Sequence, residues 1–158
     1  MSNIYTERQR FNQWWLWAII VGINVISIVA SWQSISTYGL TFANSFRIVI
    51  TIFLLVSFLA LKLETRINET GIEVRFFPFH FSFKKISWKE IASVEVRKYS
   101  PIGEYGGWGI KYGFSKAGKA YNVSGNKGIQ LVLNDGSKLL IGTNNEEEVA
   151  KALKGLDR

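Results

Sequence analysis

Gly113, Gly118 and Lys119 fall in the order G-x-x-x-x-G-K, the spacing of a phosphate-binding loop. In such loops backbone N–H groups cradle the phosphates, and the next residue is Ser or Thr to hold magnesium. Here that residue is Ala120, and the following AYNVSG reads as a strand. Without a helix N-terminus the cradle lacks its dipole, so the pattern predicts a hairpin loop. Gly107, Gly109 and Gly113 are one residue too widely spaced for a dinucleotide fingerprint and suit a bend or bulge in a small sheet. His80 is the single histidine, and no carboxylate lies near it in its own segment to orient it as a general base. Glu146, Glu147 and Glu148 are consecutive on a predicted helix and point about 100° apart, so they do not converge on a metal. They complement the positive end of the helix dipole instead. The chain has no cysteine, which excludes disulfides, thiolate metal sites and thiol catalysis. The residues therefore predict no enzyme, no cofactor and no metal.

Two groups of side chains suit binding. Lys84, Lys85, Lys89, Arg97 and Lys98 form the densest basic group, with Phe79, Phe81 and Phe83 close by. They could contact anionic lipid headgroups, or they could be a solvated face. Trp108, flanked by glycines, joins them as a candidate partner surface if its ring is exposed. The chain carries 19 Lys and Arg against 12 Asp and Glu, a formal charge of +7. The basic residues are interspersed rather than clustered, which favours retention at the cytoplasmic side of a membrane over nucleic-acid binding.

The elements that would position these residues divide at about residue 62. Between Arg10 and Arg47 there is no charged residue, which is unusual for a soluble domain of this size. The stretch 14–32, WWLWAIIVGINVISIVASW, is about as long as a helix needs to cross a bilayer. Trp14, Trp15 and Trp17 at one end and Trp32 at the other form aromatic belts. A second apolar stretch covers about 42–61, with Arg47 near its start and able to reach the interface. Both lack a polar face, which argues against buried helices of a soluble protein. A cleaved signal peptide fits poorly, because Ile28 stands where a small residue is wanted and a second span follows. The connector, about 33–45, is uncharged, while Arg8, Arg10, Lys62 and Arg66 flank the spans. The expectation is a multi-pass protein of the cytoplasmic (inner) cell membrane with both termini cytoplasmic. The sequons at Asn68 and Asn122 then read as chance matches.

From residue 63 the apolar period becomes two. Leu63, Thr65 and Ile67 alternate with Glu64 and Arg66, and Ile72, Val74 and Phe76 follow after a turn. The alternation continues through Phe77, Phe79, Phe81 and Phe83, with Pro78 marking a break or edge. Ser87 and Glu90 have capping-box spacing. Further strands are expected at 94–96, 108–112, 119–123, 129–133 and 138–142. Asp135-Gly136 predicts a type I′ hairpin turn. A C-terminal helix follows, capped by Asn144 or Asn145, with Val149, Ala152, Leu153 and Leu156 on one face.

The segments ISWKEIASVEV from Ile86, GGWGIKYG from Gly106, AYNVSGNKGIQLVL from Ala120 and DGSKLLIGT from Asp135 carry a more specific likeness. Across about 63–156 the chain resembles the bacterial pleckstrin-homology-like domains of small membrane proteins, mostly uncharacterised, which often follow a helical hairpin. The resemblance implies an α+β protein. Residues 1–62 would form the transmembrane hairpin. Residues 63–158 would form a PH-like barrel or sandwich of about seven antiparallel strands capped by the C-terminal helix. It implies membrane association and no activity. Two functions remain open: a membrane-anchored binding or scaffold module, or an accessory or assembly subunit of a larger membrane complex. In the second, Asn24 and Ser27 would bond to another helix. The expected partners are the bilayer, with anionic headgroups or a membrane or cytoplasmic protein as ligand. Nucleic acid is not expected, and self-association is left open.

Overall fold

A computed structural model describes residues 4–113 and 117–156, which divide into two compact units. One runs from Asn12 to Leu61. The other joins the N-terminal segment to everything from Lys62 onward.

The first unit is a helical hairpin. α1 spans Trp14–Tyr38 and α2 spans Phe42–Ala60. The connector is only Gly39 to Thr41, far shorter than the expected 33–45, because nothing before Gly39 breaks the helix. Gly39 adopts φ 71°, and its N–H donates to the Ile35 carbonyl at 2.8 Å. The Thr41 hydroxyl then caps α2. Both helices are long and apolar enough to cross a membrane, and their Ile, Val, Leu and Phe side chains are largely exposed. Several polar side chains bond within the hairpin. Thr51 Oγ1 donates to the Arg47 carbonyl at 2.8 Å, so Ser27 Oγ donates to Thr51 Oγ1, also at 2.8 Å. Asn24 Nδ2 donates to the Ile20 carbonyl. Trp17 packs edge-on against Phe58, with centroids 5.8 Å apart. Trp14 and Trp32 are exposed, Trp15 is partly so, and Arg47 is half-buried in the second turn of α2.

Among its described residues the second unit holds nine strands in two sheets with a C-terminal helix, an α+β arrangement. The first sheet contains β1 (Tyr5–Arg10), β2 (Lys62–Asn68), β3 (Gly71–Phe77) and β4 (Lys84–Ser87), paired in that order and all antiparallel. β1 corrects the expected domain boundary. Residues 5–10 belong to the sheet and not to the hairpin, because Tyr5, Glu7 and Gln9 alternate inward against β2. The alternation is hard to see in the sequence since two of its three inward residues are polar.

β4 leads through a single 3₁₀ turn at Trp88–Glu90, closed by the predicted Ser87–Glu90 capping box, into β5 (Ile91–Lys98). A short helix, α3 (Pro101–Tyr105), precedes β6 (Gly109–Tyr112), β7 (Lys119–Asn122), β8 (Lys127–Leu133) and β9 (Lys138–Gly142). Their order is β5-β8-β9-β7-β6, and β7 and β9 run parallel. The expected seven antiparallel strands are thus nine with one parallel pair, and the two sheets are not closed into a barrel. The Phe-rich alternation also fails as a strand. β3 stops at Phe77, and the cis peptide to Pro78 begins a turn held by the His80 N–H bonding to the Phe76 carbonyl at 2.8 Å. The turn after β8 differs in type as well. Leu133 accepts from Gly136 N–H at 2.9 Å and donates to Ser137 O at 2.8 Å, and Gly136 has φ 79°. That is a three-residue loop with a left-handed glycine, and not a two-residue type I′ turn.

The second sheet is covered on both faces. Ile129, Leu131, Leu139, Ile141 and Tyr121 share one face by register, and Leu63, Ile67, Ile72, Val74 and Phe76 are the buried residues of the first sheet. On the opposite face Tyr99, Tyr105, Ala120 and Leu140 form their own cluster. Burial pushes the Tyr99 hydroxyl up to about 12. Asn122, fully buried, accepts from Gly109 N–H and donates to the Tyr99 hydroxyl, and Asn68 Oδ1 accepts from Thr70 and Gly71. Both sequon asparagines are therefore structural.

α4 (Glu146–Lys154) buries Val149, Ala152 and Leu153, while Leu156 is half-buried beyond its end. Its entry is held by β1. The buried Glu7 carboxylate accepts from the Tyr5 hydroxyl at 2.7 Å, the Thr143 hydroxyl at 2.6 Å and the Asn144 N–H at 2.9 Å. Thr143 Oγ1 in turn accepts from Asn145 N–H. The expected asparagine side-chain cap is not formed, because these groups take its place. Burial first, and then the bond to Glu7, raise the Tyr5 hydroxyl well above its ordinary pKa. Gln9 Nε2 adds a bond to the Gly142 carbonyl at 2.7 Å.

Removing the carboxylate leaves three donors to be satisfied elsewhere. Glu7→Ala is expected to destabilise this unit by roughly 2–4 kcal/mol, and the exposed neighbour change Thr6→Ala by less than about 0.5 kcal/mol. Thermal unfolding of the full chain in detergent, followed by circular dichroism, checks this. Equal midpoints for the two variants would show that the strand is not held through Glu7.

Candidate binding cleft

A cleft of about 940 Å³ in the β unit is bordered by β4, the start of β7 and the β8–β9 turn. Lys84, Lys85 and Ile86 are consecutive in β4, and all three border it. Neighbouring side chains of a strand point to opposite faces, so one space touches three in a row only if it runs along the strand's edge. β4 is a terminal strand of its sheet, and among the described residues it pairs with β3 alone, which leaves this edge free of them.

Its floor is apolar: Val74, Leu139 and the ring of Tyr121 are buried there, with Leu133 and Ile86 half-buried. Its rim carries Lys84, Lys85, Lys119 and Lys138, and no Asp or Glu borders it. Lys84 Nζ reaches the Tyr121 hydroxyl at 3.1 Å and lies 5.6 Å from the ring centroid. Lys119 Nζ lies 5.5 Å from the Tyr112 ring. Lys85 pairs with Glu73 at 3.3 Å but is largely exposed. Among the described residues no carboxylate pairs with Lys84, Lys119 or Lys138. A ring of this composition offers three uncompensated cations above an apolar floor, which favours an anionic ligand with apolar parts.

Gly118 lets the rim assemble. It has φ 80°, and a Cβ there would lie 2.3 Å from the Lys138 carbonyl oxygen. Any other residue would push β7 and β9 apart at the point where Lys119 and Lys138 meet the cleft. The G-x-x-x-x-G-K stretch is thus the β6–β7 connection. Gly113 N–H donates to the Gly118 carbonyl at 2.5 Å, and Lys119 begins a strand. Residues 114–116 of the pattern lie outside the described residues.

His80 does not line the cleft but packs against one of its residues, its ring 5.3 Å from that of Tyr121 and edge-on to it. Its Nδ1 accepts a long bond of 3.4 Å from the Phe76 N–H. Burial, and then the charge of Lys84, hold its pKa below the ordinary histidine value. It is a packing residue kept neutral by its surroundings.

Of the basic group read from the sequence, the cleft takes only Lys84 and Lys85. Lys89 lies in the 3₁₀ turn, exposed, with its carbonyl bonded to Asn134 Nδ2. Arg97 is committed elsewhere. It pairs with Glu104 at 2.7 Å and donates to Gln130 Oε1 at 3.0 and 3.1 Å. The bond between them raises the Arg97 pKa and holds the Glu104 carboxyl below the usual range. Lys98 is exposed at the end of β5, away from the rim. Trp108 is half-buried, and its indole N–H donates to the Gly125 carbonyl at 3.0 Å. Lys119, Lys138 and Tyr112 at the rim, and Tyr121 in the floor, are the cleft residues that sequence reasoning missed. Finding them requires the parallel β7–β9 pairing, which no turn or period announces.

The His80 shift has a defined sign. The folded state disfavours the imidazolium, so this contribution to stability is complete above the ordinary histidine pKa of about 6.5 and is lost as pH falls through that value toward the folded pKa. His80→Asn is expected to flatten the fall in melting temperature between about pH 7 and 5. The steeper loss at lower pH, where the depressed carboxyls of Glu64 and Glu104 titrate, should be unchanged. An unchanged profile above pH 5 would show that His80 titrates freely. No family model matches the chain and no curated protein matches it, so the chemistry assigned to the cleft is what its own geometry provides.

Proposed function

We propose that this chain is a membrane-anchored, non-enzymatic binding module. The helical hairpin crosses the cytoplasmic membrane, and the β unit presents its lysine-rimmed cleft at the cytoplasmic face to an acidic, extended segment of a partner protein. The observation that carries the reading is the free edge of β4, with an apolar floor and uncompensated lysines along it. An extended segment can add its backbone to such an edge, place apolar side chains on the floor and set carboxylates against the rim. The volume exceeds what a single phosphate headgroup fills.

Membrane anchoring is supported by α1 and α2, whose outward apolar side chains form a surface far larger than a soluble protein tolerates. β1 and β2 are neighbours in one sheet although the hairpin separates them in sequence. Two spans between paired strands require both flanks on the same side of the bilayer. The basic flanks Arg8, Arg10, Lys62 and Arg66 favour the cytoplasmic side. Two sheets followed by a C-terminal helix support the pleckstrin-homology-like reading, in a form whose barrel is left open. The alternative of an accessory subunit that docks through its hairpin gains less, because Ser27 and Asn24 bond within the hairpin.

Two measurements test this. A fluorescent oligoglutamate peptide with interspersed leucines is expected to bind the full chain in detergent at low salt and to be released as salt rises. Lys119→Glu with Lys138→Glu should weaken binding by about tenfold or more. Equal affinity for the variant would remove the cleft from the function. For topology, Ser36→Cys and Ser137→Cys are placed singly in this cysteine-free chain and treated on intact cells with a membrane-impermeant thiol reagent. The first should be modified and the second protected, and the reverse pattern would overturn the orientation.

A further inference from the structure

The turn after β3 carries two of the most exposed aromatic side chains of the β unit. Phe79 is 65% exposed and Phe81 80%. They are not free to collapse onto the sheet. Phe77 already lies under the Lys62 ammonium at 5.1 Å, and Phe83 is covered by Arg66 and Arg75 at 4.0 and 4.5 Å. Phe79 and Phe81 touch Phe76 and Phe77 through one ring edge each and leave the rest of their surface bare.

The register of the first sheet says where this turn lies. Arg10 pairs with Lys62, and Lys62 pairs with Phe77. These three residues form the last row of the sheet, and all three chain exits are at that end. From Arg10 the chain needs only residues 11–13 to reach Trp14, the start of α1. From Ala60, the end of α2, it needs only Leu61 to reach Lys62. From Phe77 it enters the turn of Phe79 and Phe81. Three residues span at most roughly 10 Å and one residue roughly 3.5 Å. The headgroup region beyond the hydrocarbon core is itself several ångströms deep. This end of the sheet is therefore tied covalently within reach of that region. Arg8, Arg10, Lys62, Arg75 and Lys84 surround it, against Glu64 as the nearby carboxylate.

We propose that Phe79 and Phe81 insert into the interfacial zone of the bilayer. They form a third point of attachment beside the two helix junctions, with the surrounding cations set against anionic headgroups. Aromatic rings favour this zone, and cations beside an anionic leaflet add to the attraction. Three contacts that are not collinear fix the tilt of the β unit. Two adjacent junctions alone leave it free to rock about the line joining them.

This inference rests on the hairpin spanning a membrane, and the experiment separates the two. The cysteine-free chain takes single nitroxide labels at Phe79→Cys, Phe81→Cys, Ile26→Cys in mid-α1, and Glu69→Cys in the turn at the opposite end of the sheet. Each is reconstituted into phosphatidylcholine vesicles containing phosphatidylglycerol. Collision with a water-soluble nickel chelate is then compared across the four positions. Labels at 79 and 81 are expected to be several-fold less accessible than the label at 69, with the label at 26 the most protected. Removing phosphatidylglycerol should raise access at 79 and 81 and leave 26 unchanged. If 79 and 81 match 69 while 26 is protected, the hairpin is embedded and the turn is not, which overturns the insertion and leaves a protein as the occupant of the aromatic patch. If 26 also matches 69, the membrane reading and this inference fail together.

Discussion

The structure depends on the pairing of β1 with β2 across the helical hairpin. The chain leaves the sheet after Arg10 and returns to the neighbouring position at Lys62. Closing an excursion of this length costs entropy, but the cost grows only logarithmically and the antiparallel helices bring their own ends together. The ladder between Tyr5–Arg10 and Lys62–Ile67 then secures the base of the hairpin. The same strand carries Glu7 into the interior, where its carboxylate gathers Tyr5, Thr143 and Asn144. One short strand therefore couples three distant parts of the sequence: the exit to α1, the return from α2 and the entry to α4. Among the described residues no cation pairs with this buried carboxylate, and three converging donors hold it there.

The separation of the two sheets beside β4 is set by how that strand begins and ends. β4 starts at Lys84, opposite Val74, so the last three residues of β3 have no partner on that side. The chain between them is taken up by the turn around Pro78. β4 has four residues, and the cleft runs along its unpaired side among the described residues. A free, short edge is a hazard for self-pairing, and lysine is a common guard at such edges. Lys84 and Lys85 guard this one. The guard and the proposed recognition are the same physics: two lysine-lined edges repel each other, a neutral strand leaves the ammonium groups uncompensated, and an acidic strand relieves both.

Much of the fold was legible in the sequence, for identifiable reasons. The charge-free run between Arg10 and Arg47 marked the helices, since no soluble surface is built that way. Leu63 to Ile67 and Ile72 to Phe76 alternate cleanly because that sheet has one buried face. The capping box at Ser87 is purely local and was readable. What failed was non-local. β1 was hidden because Glu7 and Gln9 point inward and their partners lie more than a hundred residues away. The Phe run read as a strand because period-two alternation does not register how a proline turns the chain. The basic group was contiguous in sequence and scattered in space, since Arg97 is drawn to Glu104 and Gln130 across its own sheet. The true rim needed β7 beside β9, a pairing set by the order of strands and not by any residue in them.

The tether changes what the cleft must achieve. A module held at a bilayer by its own helices meets membrane-bound partners at a high effective concentration, so an affinity that is weak in solution is sufficient there. Weak, charge-dominated recognition by exposed lysines fits that setting, because each ammonium contributes modestly and is screened within about 8 Å at physiological salt. Tight binding would call for a closed, desolvated pocket, and the half-open cleft between two sheets is not one. The stiffness of the tether matters more than the strength of the site. On the proposed insertion of Phe79 and Phe81, what a third contact would constrain is the tilt of the β unit at the bilayer. The exposed turn of Phe79 and Phe81 stands at the end of the sheet where a third contact has the greatest leverage on that tilt.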